Sequence, residues 1–242
     1  RHRVKSRRTD VEVQATPQGD TVSIEPAWFP YRLESLRGQL TWKDGQLRFD
    51  RVRGTHVRTV VAAEGVCRFA QGGGWHVSFE KLSADRFRAD HEVLQALPAG
   101  LQQAIAAVRL RGLLSLAGSL DIHSAAGSPA ASWDMHLDVE QGALDVGTPI
   151  EHVHGGIRLR GQSDGRTWQT LGDMSIDSAT WRGMQLTGIQ GPLAMDPGGV
   201  RFGATAVRNA EPGAARRVSA RVAGGTLLVD GSVAAGDGTL DF

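Results

Sequence analysis

The chain has 242 residues, 40% hydrophobic and 22% charged, with 31 glycines, one cysteine and a formal net charge of +1. That length allows one large or two small domains with a real core, and the balanced charge with evenly spread apolar residues excludes a disordered chain. Glycine without a three-residue period excludes a collagen-like rod, no apolar run approaches the roughly 18 residues of a membrane span, and no stretch reads as a secretory signal.

The chain opens on a basic run, Arg1, Arg3, Lys5, Arg7 and Arg8. Such a run could touch nucleic acid or anionic lipid, or be a solvated strand or a frayed end. With 27 basic against 26 acidic residues overall, and no RNP, zinc-finger or helix-turn-helix pattern, nucleic acid is not expected as a partner. The 24 arginines against three lysines (Lys5, Lys43, Lys81) look like base composition, not a binding patch. The missing initiator Met and the final Asp241-Phe242, which stop on an alternating pattern, suggest a segment of a longer protein.

Period-two alternation then dominates. Val11-Glu12-Val13, Val22-Ser23-Ile24, Leu40-Thr41-Trp42, Leu47-Arg48-Phe49 and Trp75-His76-Val77-Ser78-Phe79 each put apolar residues on one face and polar residues on the other. Trp133 to Val139 and Ile157-Arg158-Leu159-Arg160 do the same. These are half-buried antiparallel strands. Turn chemistry separates them: Asp44-Gly45, Asp164-Gly165, Asp196-Pro197-Gly198-Gly199, Glu211-Pro212-Gly213 and Gly236-Asp237-Gly238. The sum is about fifteen short strands in a long meander. Cys67, beside Val66 and Phe69, reads as a small buried apolar residue of a strand.

One stretch breaks the alternation. Val93, Leu94, Leu97, Leu101, Ile105 and Val108 recur at three- and four-residue steps, which predicts a helical insertion over 90–108. Asp90 is its expected N-cap, and Pro98 starts a second helix or kinks a single one. The helices should cover an open edge or an end of the sheet. The organisation is thus a first β-repeat segment (1–89), a helical insertion (90–110) and a second β-repeat segment (111–242), continuous as one elongated domain.

An internal repeat supports that division. Residues 36–45, LRGQLTWKDG, lie on residues 153–161, VHGGIRLRG, followed by Asp164-Gly165. Each copy is followed by an Arg-Gly, in Val52-Arg53-Gly54 and Trp181-Arg182-Gly183, and Gly224 to Val233 is a shorter echo. Duplicated sheet units of this kind predict an elongated repeat sheet.

Chemistry-bearing patterns are sparse. His152 and His154, beside Glu151, would share a strand face, and His136 lies between Asp134 and Asp138. Neither has the spacing of a zinc site, so no metal is expected. There is no Gly-x-Ser-x-Gly elbow, and Gly72-Gly73-Gly74 precedes a strand, where no helix N-terminus could cradle phosphate. No catalytic residue or cofactor is expected. A carboxylate pair acting on polysaccharide is a tertiary fact that sequence does not reveal.

What stands out is the wide apolar side chains at strand spacing: Trp42, Phe49, Trp75, Phe79, Trp133, Met135, Met174, Ile176, Met184 and Met195. They belong either to an ordinary core, closed by a second sheet or by the helices, or to an open apolar channel along a curved sheet. Such a channel would suit acyl chains, each buried methylene being worth about 0.8 kcal/mol.

The runs 36–40 and 54–57, Leu97-Pro98-Ala99-Gly100-Leu101, Trp133 to Asp138, Gly142 to Val146, Val153 to Gly161, Trp181 to Leu186 and Val222 to Thr226 resemble the AsmA-like repeat proteins of Gram-negative envelopes, the family of AsmA, TamB and YhdP. They are most similar to its planctomycete-type forms. The resemblance covers roughly residues 30–242 and rests on diffuse glycine-apolar patterns. It implies a long, curved antiparallel β-sheet with an apolar inner face, held in the periplasm by an inner-membrane anchor that lies outside this segment. It further implies a non-enzymatic role with phospholipid acyl chains as partners, in lipid transport between inner and outer membranes or in outer-membrane assembly. The alternatives are a structural or adhesive β-solenoid without lipid, and a polysaccharide-acting β-rich enzyme.

Overall fold

A computed structural model describes residues 11–18, 21–25, 30–70, 72–96, 102, 105–106, 109–124, 129–145, 148–206, 216–235 and 240–241. The protein is mostly antiparallel β. Its strands are β1 (Glu12–Ala15), β2 (Glu34–Lys43), β3 (Gln46–His56), β4 (Thr59–Phe69), β5 (Trp75–Phe87), β6 (Arg111–Ser124), β7 (Ala130–Asp145), β8 (Pro149–Ser163), β9 (Trp168–Trp181), β10 (Met184–Asp196), β11 (Gly199–Phe202), β12 (Val218–Val222), β13 (Gly225–Val229), β14 (Gly231–Ala234) and β15 (Leu240–Asp241). All fifteen belong to one sheet that follows chain order from β1 to β11. It is open: among the described residues β1 pairs only with β2, and no strand joins β1 to the far end.

At β10 the sheet forks. Leu186 to Gln190 pair with β12, whereas Leu193 to Asp196 pair with β11, which continues to β14 and β15. β13 pairs with β12 alone. Asp230-Gly231 is therefore not the hairpin turn that the sequence echo suggests. It is a crossover between branches, fixed by Asp230 Oδ1, which accepts from the Ala204 amide at 2.7 Å, and by Asp230 Oδ2, 3.0 Å from Arg217 Nε.

The strands are longer than alternation predicts, β5 to β10 running 13–16 residues each. The reason is a set of β-bulges. Register slips between Phe49 and Val52, Ala84 and Phe87, Val139 and Gly142, and Glu151 and His154. At each slip a non-glycine residue takes the left-handed region: Arg51 (φ 50°), Arg86 (57°), Gln141 (51°) and His152 (53°). An extra residue there inverts the alternation, so one strand reads as two short ones, and it bends the strand. Bulges in successive strands curve the whole sheet.

The insertion begins as expected. Asp90 caps α1 (His91–Ala96), its Oδ1 accepting from the Val93 amide at 3.1 Å; Pro98 lies outside the described residues, and beyond it Gln102, Ile105 and Ala106 are described and helical. β5 and β6 pair directly across the insertion, so the sheet runs through it unbroken. Of the other turns, Asp44 (φ 48°) and Gly45 (φ 75°) form the predicted two-residue hairpin. Ile24 makes only an isolated bridge to Leu33, so Val22-Ser23-Ile24 is not a strand. Glu211-Pro212-Gly213 and Gly236-Asp237-Gly238 lie outside the described residues.

The sequence repeat has a partial physical counterpart. Leu36 and Val153 are both buried. Two residues on, Gly38 (φ +118°) and Gly155 (φ +138°) each meet the backbone of the next strand so closely that a Cβ could not fit, Arg51-Val52 for one and Ser175-Ile176 for the other. The second half of the alignment does not hold. Gly54 is buried inside β3 beneath Leu33 and Leu36, whereas Arg182-Gly183 (φ 49° and 78°) is the exposed β9–β10 turn.

Candidate functional site: one apolar face of the sheet

Register assigns every side chain to a face. In one cross-strand row Leu40, Phe49, Gly65, Phe79, Leu120, Trp133, Gly161, Thr170 and Met195 are successive partners from β2 to β10. The adjoining row runs Trp42, Leu47, Cys67, Val77, Ile122 and Ala131. On the other side, Met135 pairs with Leu159, Leu116 follows to Leu137, Ile157 and Met174, and Leu114 follows to Val139, Gly155, Ile176 and Ile189. Trp75 faces Phe69, and Met184 faces Trp181. All ten wide side chains singled out from the sequence therefore project from the same face, from one edge of the meander to the fork.

Glycines let those side chains lie flat. The Phe49 and Phe79 rings approach to 5.6 Å across Gly65, their common ladder partner. The Trp133 indole lies over Gly161, and Leu159 and Leu193 close over Gly172, 3.0 and 3.1 Å from where a Cβ would stand. At Gly161 and Gly172 neighbouring side chains occupy the space a Cβ would take, and at Gly65 the Ser78 carbonyl and the Phe79 backbone do.

Among the described residues no second sheet covers this face. The buried cluster is Leu114, Val139, Val153, Ile176 and Ala179, all on β6 to β9, and Phe87 at the end of β5 and Ala89 and Leu110 from the β5–β6 connection pack against it. Leu114 and Ala179 are each only 2% exposed. Burial of that depth in a single layer follows from the sheet curling around its own apolar side, with the connection closing one end. Towards β1 the face opens: Val13 is 53%, Phe69 48% and Trp42 37% exposed, and Trp42 packs on Phe69 with ring centroids 5.3 Å apart.

The opposite face is polar and laced with cross-strand ion pairs. Asp134 is held by Arg158 (2.9 Å) and Arg160 (3.0 Å), Lys81 meets Glu64 at 2.9 Å, Lys43 meets Glu12 at 3.1 Å and His76 meets Asp121 at 2.8 Å. The hydrogen bond from Arg158 holds the Asp134 carboxyl below its ordinary value. The net charge hides a division along the sheet. Residues 34–88 carry ten basic and six acidic side chains, and residues 111–196 carry five basic and ten acidic. An open depression of about 560 Å³ on this face is lined by Arg53, Ala62, Lys81, Ser83 and Ala117.

Histidines do not assemble a centre. His136 bonds Asp138 at 3.1 Å. His152 is the exposed left-handed bulge residue without a ladder partner among the described pairs, and His154, past the register slip, pairs with Ser178. Among the described residues no group of three or more His, Cys, Asp or Glu is placed to hold a metal ion. Gly72-Gly73-Gly74 is a loop joining β4 to β5, closed by the Ala70 amide donating to the Gly74 carbonyl at 2.8 Å. Cys67 is buried on the apolar face, where burial pushes its thiol up.

Sequence reading missed a cluster at the insertion end of the apolar face. Tyr31 stacks on His56 with centroids 4.2 Å apart, and both lie beside Thr59. His56 Nδ1 is 2.7 Å from the Arg32 carbonyl oxygen and Nε2 is 2.6 Å from Glu92 Oε2 on α1. The only local signal was His56 continuing the apolar face of β3.

The class defined by this geometry is an open, single-layer antiparallel sheet with one polar and one continuous apolar face. Compared with family models, curated proteins and solved structures, the chain matches none. Among the described residues no helix is long and apolar enough to cross a membrane.

Proposed function

We propose that this chain is part of a non-enzymatic cell-envelope protein whose apolar sheet face holds phospholipid acyl chains, supporting lipid transport between membranes or outer-membrane assembly. The observation that carries this is the apolar face itself, continuous across β2 to β10 and, among the described residues, uncovered by a second sheet. A sixteen-carbon chain loses something over 10 kcal/mol of burial on leaving a bilayer. A continuous apolar surface offsets that cost along the whole path, and no acid, base or metal is needed. The lipid-holding residues are Trp42, Phe49, Trp75, Phe79, Trp133, Met174, Met184 and Met195, while Met135 and Ile176, buried on the same face, form the packed floor beneath them. Such a protein works in the periplasm, tied to the inner membrane.

Photo-crosslinking amino acids at Trp42 and Met184, 37% and 43% exposed on this face, test it in cells. Phospholipid adducts are expected at both, and none at Arg160 on the polar face. Adducts only with protein at Trp42 and Met184 would overturn the proposal.

A further inference from the structure

His56 is bonded at both ring nitrogens to groups that only accept. A backbone carbonyl oxygen faces Nδ1 and a carboxylate oxygen faces Nε2, so the ring satisfies both only when it carries two protons. Its plane packs on Tyr31, a favourable neighbour for a cation. The three partners come from separate parts of the chain: Tyr31 and Arg32 precede β2, His56 ends β3, and Glu92 lies in the first turn of α1. No other side-chain bond of α1 to the sheet is seen among the described residues.

We propose that His56 is a protonation-controlled latch that pins α1 over the β3–β4 end of the apolar face, closed when the imidazole is charged and released when it is neutral. This rests on the reading of that face as the working surface, and it adds regulation of access to one end.

The charged surroundings agree in sign. Burial works against the cation, but the Arg32 carbonyl, the Glu92 hydrogen bond and the charges of Glu92 and Asp90 outweigh it and raise the pKa above the ordinary 6.5. Arg32's own guanidinium is drawn to Glu34 at 3.4 Å. Tyr31 stays neutral because burial raises its hydroxyl. A raised folded-state pKa means that the latch is fully engaged below about 6.5 and is lost as pH rises through the folded value. Glu92 is 64% exposed, so the bond is partly screened and the device sits near balance.

The test is an NMR titration of the whole chain without lipid, following the His56 ring and the Val93 and Leu94 amides. His56 should titrate above the ordinary histidine value, and both amides should shift with the same midpoint. Protection of those amides, corrected for intrinsic exchange, should fall about three- to tenfold from pH 5.5 to 8.5. Glu92→Gln keeps an exposed, uncharged hydrogen-bonding side chain and should lower the His56 midpoint and flatten the amide response. His56 titrating at or below the ordinary value, or α1 amides indifferent to pH, or an unchanged response in Glu92→Gln, would each overturn the latch. Lipid adducts at Trp42 and Met184 are read separately, so loss of either proposal leaves the other standing.

Discussion

The two halves of the sheet share a ladder and a face but use them differently. In β6 to β9 the apolar side is aliphatic and deeply buried, around Leu114, Val139, Val153, Ile176 and Ala179, and the β5–β6 connection closes it. In β2 to β5 it is aromatic and more open, with Phe49 and Phe79 meeting over Gly65 and Trp42 against an exposed Phe69. One half works as a core, and the other presents the same kind of surface without completing its burial. Stability and ligand contact should therefore separate along the chain.

The sharpest way to break the contrast is at the glycine beneath the aromatic pair. Gly65→Val places a side chain against the Ser78 carbonyl and the Phe79 backbone, which must move apart. A loss of roughly 3 kcal/mol or more in urea unfolding is expected, with wider separation of β4 and β5 in amide exchange. Leu114→Ala should cost about 2–4 kcal/mol, because the cavity opens inside the closed cluster. Trp42→Ser, on the open side, should cost under about 1 kcal/mol while removing most lipid adducts from a crosslinker at Phe69, on which Trp42 packs. Equal costs for Leu114→Ala and Trp42→Ser would erase the distinction between core and open face. The smallest effect belongs to the polar side. Asp134→Asn removes the anchor of Arg158 and Arg160, all well exposed, so the melting temperature should drop slightly at low ionic strength and not at all in high salt. Since the Asp134 carboxyl is held low, whatever it contributes persists above the ordinary carboxylate range and fades only as pH falls through its lowered value.

Much of the face was legible. Alternation at Trp75 to Phe79 and Trp133 to Val139 gives side-chain direction because a strand repeats every two residues, and the ten wide residues it selects do share one face. Asp90 was legible as a cap because its chemistry is local. Three things were not. Bulges at Arg51, Arg86, Gln141 and His152 carry no residue signature, so strand lengths were misjudged. The fork at β10 and the crossover at Asp230 depend on which edge accepts a strand. The His56 latch joins residues 31, 56 and 92, which only the folded sheet brings together.

By itself, then, the sequence determined that this protein is an antiparallel meander with an apolar and a polar side, since period-two patterning and turn chemistry act over a few residues. Only the tertiary structure decided that the apolar side stays a single curved layer, closed at one end and open towards β1. That outcome depends on bulges adding across many strands and on the β5–β6 connection packing at one end, and both arise between segments far apart in the chain.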